Sequence, residues 1–230
     1  MIDIKKKIVV WGDSILRGVI FDEIRNTYQI LADNCADLVR QKLGLNITNK
    51  SRFGCTIDKG LALLEKSLEK SSECDYILLE YGGNDCDFDW PAVAAQPDYP
   101  HQPHTPLNQF NRQLQYAIEL LRQNRIEPIM MSLPPISGEG YLDFLVKKGL
   151  DRDALLRFLG DVQQIYRFQE SYSLAVTSAA LRNRCYYVPI REAFLADSKS
   201  PSMICADGIH PNEAGHRLMQ KVFTQMALTY

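Results

Sequence analysis

Short apolar runs alternate with longer amphipathic stretches along the whole chain, and this alternation constrains the fold more than any other feature. Lys7–Trp11 reads as a strand. Tyr28–Leu43 puts Leu31, Cys35, Leu38, Val39 and Leu43 on one helical face, and Gly44 follows as a stop. Asn46–Asn49 is a short second strand. Ile57–Leu68 carries Ile57, Leu61, Leu64 and Leu68 at helical spacing. Tyr76–Leu79 is a third strand. Thr105 caps a helix with Pro106 in its first turn, running to about Arg122. Pro128–Leu133 is a fourth strand, Ile165–Arg184 a long helix, Tyr186–Val188 a fifth strand and Glu213–Ala227 the last helix. Strand and helix alternate five times, which implies a mainly parallel sheet covered by helices on both faces, a three-layer α/β/α architecture.

Two stretches break the pattern. Residues 86–105, CDFDWPAVAAQPDYPHQPHT, read as a long loop rich in proline and aromatic residues. Residues 137–164 read as a helical insertion of mostly short helices after strand four. Long insertions in compact domains are often lids or binding loops. The large apolar residues of the second, Phe144 and Phe158 among them, either pack the insertion, line an acyl pocket or form a subunit contact. With 230 residues, 46% hydrophobic and 23% charged, the chain is expected to form one domain over 1–230.

The net charge of −2 gives no electrostatic reason to expect nucleic acid or an anionic membrane as partner. Three lysines precede the apolar run Ile8–Trp11, but a secretory core needs about 7–15 apolar residues and a membrane span about 20. A cytoplasmic protein is therefore expected. The six cysteines (35, 55, 74, 86, 185 and 205) include no C-x-x-C pair, and the reading is six reduced thiols.

In an open α/β sheet, chemistry gathers beyond the carboxyl ends of the strands. Gly12-Asp13-Ser14 follows strand one, SRFGCT with Gly54 follows strand two, and YGGNDCD with Asn84 follows strand three. After strand five comes CADGIHPNEAGH, with Asp207 and His210. One sheet edge thus receives a serine, a glycine N–H, an asparagine amide and an Asp-x-x-His pair. These are the parts of acyl transfer. Serine needs a base to take its proton, and histidine, with a free pKa of about 6.5, suits that task. A carboxylate holds the other ring nitrogen, and aimed N–H donors stabilise the oxyanion.

The blocks GDS, FG, GGND and DGIHP stand in the order and spacing of the SGNH hydrolases, also called the GDSL esterase/lipase family. The chain resembles that family from Val9 to the last helix. The resemblance implies Ser14 as nucleophile, His210 as base and Asp207 as the orienting acid. It implies an oxyanion hole of the Ser14 N–H, the Gly54 N–H and the Asn84 side chain. It further implies a five-stranded flavodoxin-like sheet, no metal and no cofactor. Residues 19–27 and the two insertions are additions to the minimal fold, and they bear on the substrate rather than the mechanism. The expected activity is hydrolysis of small acyl esters, with carbohydrate O-acetyl groups suggested by family habit. An acyltransferase on the same site, or a non-catalytic ligand-binding relative, are the alternatives. The expected partner is a small-molecule ester; the oligomeric state is left open, a homo-oligomer included.

Other residues read more plainly. His101 and His104 lie among prolines without a carboxylate or thiol cluster, so a solvated loop is expected there. His216 reads as a surface or capping residue of the last helix. Cys55, Cys86 and Cys205 read as small packing residues beside the site blocks.

Overall fold

The computed structural model describes residues 6–70 and 74–229. The leader reading of the N-terminus falls partly on the first five residues, outside that range. Five parallel strands form one sheet: β1 (Lys7–Gly12), β4 (Asn46–Asn49), β5 (Tyr76–Glu80), β6 (Glu127–Met131) and β7 (Tyr186–Val188). Their order across the sheet is β4-β1-β5-β6-β7, the flavodoxin-like arrangement.

The central strands are largely apolar because both faces are covered, while the edge strand β4 (Asn46–Asn49) is polar and exposed. Val9, Trp11, Ile77 and Leu79 face one helical layer, made by α3 (Ile57–Glu69), α5 (Leu107–Gln123) and α8 (Gln163–Asn183). Val10, Leu78, Ile129 and Val188 face the other, made by α2 (Cys35–Leu43), α9 (Ile190–Ala196) and α10 (Glu213–Thr229). Phe110 and Phe194 are fully buried, one in each layer. Truncating either to alanine is expected to cost about 3–5 kcal/mol, because the lost ring leaves a cavity. Among the described residues, no helix is long and apolar enough to cross a membrane.

The structure corrects the sequence reading in several places. The helix expected from Tyr28 begins only at Cys35, because the Asn34 side chain accepts the Ala36 and Asp37 N–H groups as its cap. Upstream, β2 (Val19–Asp22) and β3 (Thr27–Ile30) form an antiparallel hairpin. Asp22 closes its turn by accepting from the Ile24 and Arg25 N–H groups. Helix α5 starts at Leu107, and Thr105 does not cap it; its hydroxyl donates to Asp85 at 2.7 Å. The 86–105 stretch is not all loop, since Asp89 caps the short helix α4 (Trp90–Ala95). Helix α9 and a 3-10 turn at Ser200–Met203 lie between β7 and α10, where no helix was expected.

The 137–164 insertion forms α6 (Gly138–Lys147) and α7 (Arg152–Leu159). These helices pack on the other irregular stretch. Phe88, Trp90 and Val93 share one apolar cluster with Tyr141, Leu142, Leu155 and Leu159. The two interruptions of the α/β pattern are therefore one structural unit.

Candidate active site

Ser14 opens the one-turn helix α1 (Ser14–Arg17) at the end of β1. Asp13 caps that turn, with Oδ1 accepting the Ile15 N–H at 2.8 Å. This answers why a buried strand breaks into a polar turn: the chain must leave the sheet at once, and the Asp13 cap reverses it. Register places Gly12 beside Glu80 of β5, and a Cβ on Gly12 would lie 2.8 Å from Glu80 Oε2. Only glycine lets the two strand ends close here.

On the opposite side of the edge, Asp207 and His210 share one tight loop. Asp207 Oδ1 accepts the N–H groups of Ile209 and His210 at 3.1 and 3.2 Å. Its Oδ2 accepts from His210 Nδ1 at 2.5 Å. That bond puts the imidazole proton on Nδ1 and leaves Nε2 as an acceptor. His210 Nε2 lies 2.9 Å from Ser14 Oγ, so the serine hydroxyl donates to it. Asp207, His210 and Ser14 are all buried. The loop turns at Gly208, φ +79°, where a Cβ would come within 2.2 Å of the Tyr141 N. The Gly208 carbonyl accepts the Ser137 N–H at 2.7 Å, which ties the start of α6 to the histidine loop.

Asn84 follows β5, and its Nδ2 donates to Asp13 Oδ2 at 2.9 Å. An amide has two N–H groups, so one remains for a ligand. Ser14, Asn84 and His210 line one cavity of about 210 Å³. Gly54 lies on the turn after β4, next to Phe53; Phe53 lines the cavity and Gly54 does not. Ser14, Asp207 and His210 are thus brought together by hydrogen bonds. Asn84 joins them through its bond to Asp13, and Gly54 does not line the cavity.

Several site residues were not legible in the sequence. Tyr28 on β3 meets the His210 ring edge-on at 5.3 Å, and Phe53 stacks on it at 6.4 Å. Facing them stands a wall rich in aromatic rings, Phe88, Trp90, Tyr141, Phe144 and Phe168, with Ile136, Ile165 and Ile209 between. Asp87 ties it together by accepting from Trp90 Nε1 at 2.6 Å and the Tyr141 hydroxyl at 2.9 Å. Burial pushes the Asp87 carboxyl above its usual range. Phe144 lines the cavity, but Phe158 stands behind it, against the Phe88 and His101 rings.

Asp85 has a different task from its neighbour Asn84. It is fully buried, accepts from the Ile57 N–H at the start of α3, and is pushed up to about 6 by desolvation. His101 and His104 are not merely solvated. His101 lies 2.8 Å from the Gln96 carbonyl and His104 lies 3.1 Å from the Asn84 carbonyl. Among the described residues, no group of three or more His, Cys, Asp or Glu could hold a metal ion. His216 is not at the surface: it is buried, lowered to about 4 by desolvation, and its Nδ1 accepts the Cys35 N–H at the start of α2. Cys55 and Cys86 pack in the core beside the site turns.

Residues 10–218 match the GDSL-like Lipase/Acylhydrolase family. No curated protein matches the chain. Among solved structures, the chain is similar to a lipase/acylhydrolase from Enterococcus faecalis. That pair is 17% identical with a TM-score of 0.66, covering 96% of this chain and 94% of the other. A variant of an acetyl xylan esterase from Geobacillus stearothermophilus is 18% identical, with a TM-score of 0.69 and coverage of 98% and 96%. An α/β hydrolase from the metagenome of Lake Arreo, Spain, is 19% identical, with a TM-score of 0.68 and coverage of 96% and 94%. At these identities the likeness shows the shared fold.

Proposed function

Because the chain belongs to the GDSL-like lipase/acylhydrolase family, we propose that it hydrolyses small acyl esters through an acyl-serine intermediate. The observation that carries this reading is the chain of hydrogen bonds from Ser14 Oγ through His210 to Asp207. Ser14 Oγ attacks the ester carbonyl while its proton passes to His210 Nε2. Asp207 keeps the ring oriented and stabilises the charge it gains. The carbonyl oxygen becomes an oxyanion, met by the free N–H of Asn84 and by the backbone N–H groups of Ser14 and Gly54. Collapse breaks the ester bond, and the leaving alcohol takes the proton from His210. Water then attacks the acyl-serine, giving its proton to His210. The carboxylic acid departs, and the proton returns to Ser14 Oγ.

The acyl group is assigned to the aromatic-walled cavity, and the alcohol to its open side beside the exposed Phe53. Acetyl groups on carbohydrates are the first substrates to try, since one similar structure is an acetyl xylan esterase. The test is labelling with a fluorophosphonate, followed by peptide mapping. The expected result is one label, on Ser14, lost in Ser14→Ala. A label elsewhere, or none in a protein that hydrolyses esters, overturns the reading. Added alcohols that divert the acyl group from water would instead mark an acyltransferase.

A further inference from the structure

Beside Ser14, at the buried end of the cavity, two carboxyl groups meet that the mechanism above does not use. Asp13 and Glu80 are each 1% exposed. Glu80 Oε2 accepts the Asp13 N–H at 3.2 Å, which brings the two carboxyl groups close enough to share a hydrogen bond. Two carboxylates cannot make that bond, because neither has a hydrogen to give; one must carry a proton.

The surroundings decide which. Asp13 has two donors aimed at its oxygens, the Ile15 N–H on Oδ1 and the Asn84 amide on Oδ2. Glu80 has only backbone donors, the Asp13 N–H on Oε2 at 3.2 Å and the Leu16 N–H, and its Oε1 makes no well-formed hydrogen bond among the described residues. Donors favour a charged carboxylate, and their shortage favours a neutral acid. Negative charge therefore belongs on Asp13 and the proton on Glu80. Burial raises both carboxyls, and Glu80, which also faces the charge of Asp13, stands well above its ordinary value.

We infer that Glu80 is a positioning residue: it carries the shared proton, donates it in a hydrogen bond to Asp13, and so keeps Asp13 as the singly charged acceptor that aims Asn84 at the oxyanion. This rests on the reading of Asn84 as an oxyanion donor. If Glu80 loses its proton, the Asp13 bond is replaced by repulsion. The acceptor for Asn84 is displaced, and the growing oxyanion faces a second buried charge. Activity then falls through kcat, since the oxyanion exists only in the transition state.

The ionisable groups around the pair come from five segments. They are His210 on its loop, Cys35 at the start of α2, Cys55 after β4, Tyr81 after β5, and Asp85 and Cys86 in the loop that follows. Burial raises all three thiols and the Tyr81 hydroxyl, which keeps them neutral at neutral pH. Asp85, pushed up to about 6, is already largely charged above neutrality. An alkaline fall in kcat that is present in wild type and absent in Glu80→Gln is the signature of Glu80.

The test compares wild type, Glu80→Gln and Glu80→Ala with p-nitrophenyl acetate from neutral to alkaline pH. Glutamine copies the protonated acid, since its amide can donate to Asp13 and accept from the Asp13 N–H. Glu80→Gln is expected to keep kcat within about threefold of wild type at neutral pH and to lose the alkaline fall. Glu80→Ala is expected to lower kcat about tenfold or more with KM nearly unchanged. Infrared difference spectra at neutral pH should show a carboxylic acid carbonyl band in wild type that is missing in Glu80→Gln. No such band, an unchanged alkaline limb in Glu80→Gln, or equal losses in the two variants would overturn the inference. If the fluorophosphonate labels Ser14 while these tests fail, the proposed function stands without Glu80. If Ser14 is not labelled, both fall.

Discussion

The serine edge of the sheet and the aromatic wall facing it line the same cavity but are held by different physics. At the edge, Asp13, Ser14, Asn84, Asp207 and His210 sit on short turns and are fixed by hydrogen bonds of 2.5–2.9 Å. Such bonds are directional, and each has one good geometry. At the wall, Phe88, Trp90, Tyr141 and Phe168 come from three separate stretches and are held mostly by ring packing at 4.9–6.1 Å. Packing of that kind tolerates substitution if volume is kept. Under the proposed function the contrast separates two kinds of control: the edge would set how fast a bound ester reacts, and the wall which ester binds.

Four substitutions can break or sharpen that contrast. The largest effect belongs to Ser14→Ala, which should lower kcat by about 10⁴-fold or more while circular dichroism shows an unchanged fold. A residual rate near a tenth of wild type would mean that another group attacks the ester. Next is Asn84→Ala, expected to reduce kcat about 10²–10³-fold with little change in KM. An effect confined to KM would move Asn84 from the edge to the wall in functional terms. Phe144→Ala then tests the wall itself. Opening the cavity should shift the ratio of kcat/KM between acetyl and longer acyl esters by about tenfold, with kcat for the best ester preserved. Loss of kcat for every ester alike would erase the distinction between the regions. The smallest functional effect is expected from Phe158→Ala, because this ring supports Phe88 from behind. Stability should fall by about 1–2 kcal/mol in thermal or urea unfolding, with the acyl preference unmoved.

The edge was far more legible in the sequence than the wall, and the reason is distance along the chain. Gly12-Asp13-Ser14 and Asp207-Gly208-Ile209-His210 are local motifs, and strand order alone carries them to one edge. The strands themselves were readable because both faces are buried. The wall depends on how residues 86–105 pack against 137–164, which no local period encodes. That is why Phe144 and Phe158 looked equivalent and are not. The β2–β3 hairpin was missed because Leu31, Cys35 and Leu38 continue a helical spacing that the Asn34 cap interrupts. Glu80 left a faint signal, a charge closing the apolar run YILLE, but only the register beside Gly12 gives it a partner.

The bond between Ser137 and Gly208 has a mechanical consequence. Helix α6 supplies Tyr141 and Phe144 to the wall, and its first turn is fastened to the loop that carries His210. In the proposed reaction, a bulky acyl chain that pushed α6 outward would therefore pull on His210 as well. On that reading selectivity and speed would share one hinge, and a chain too large for the cavity would be penalised twice, once in fit and once in the alignment of the imidazole. Room for change lies at the other end of the helix. The exposed turn around Gly149, between α6 and α7, is open enough to lengthen without disturbing the histidine.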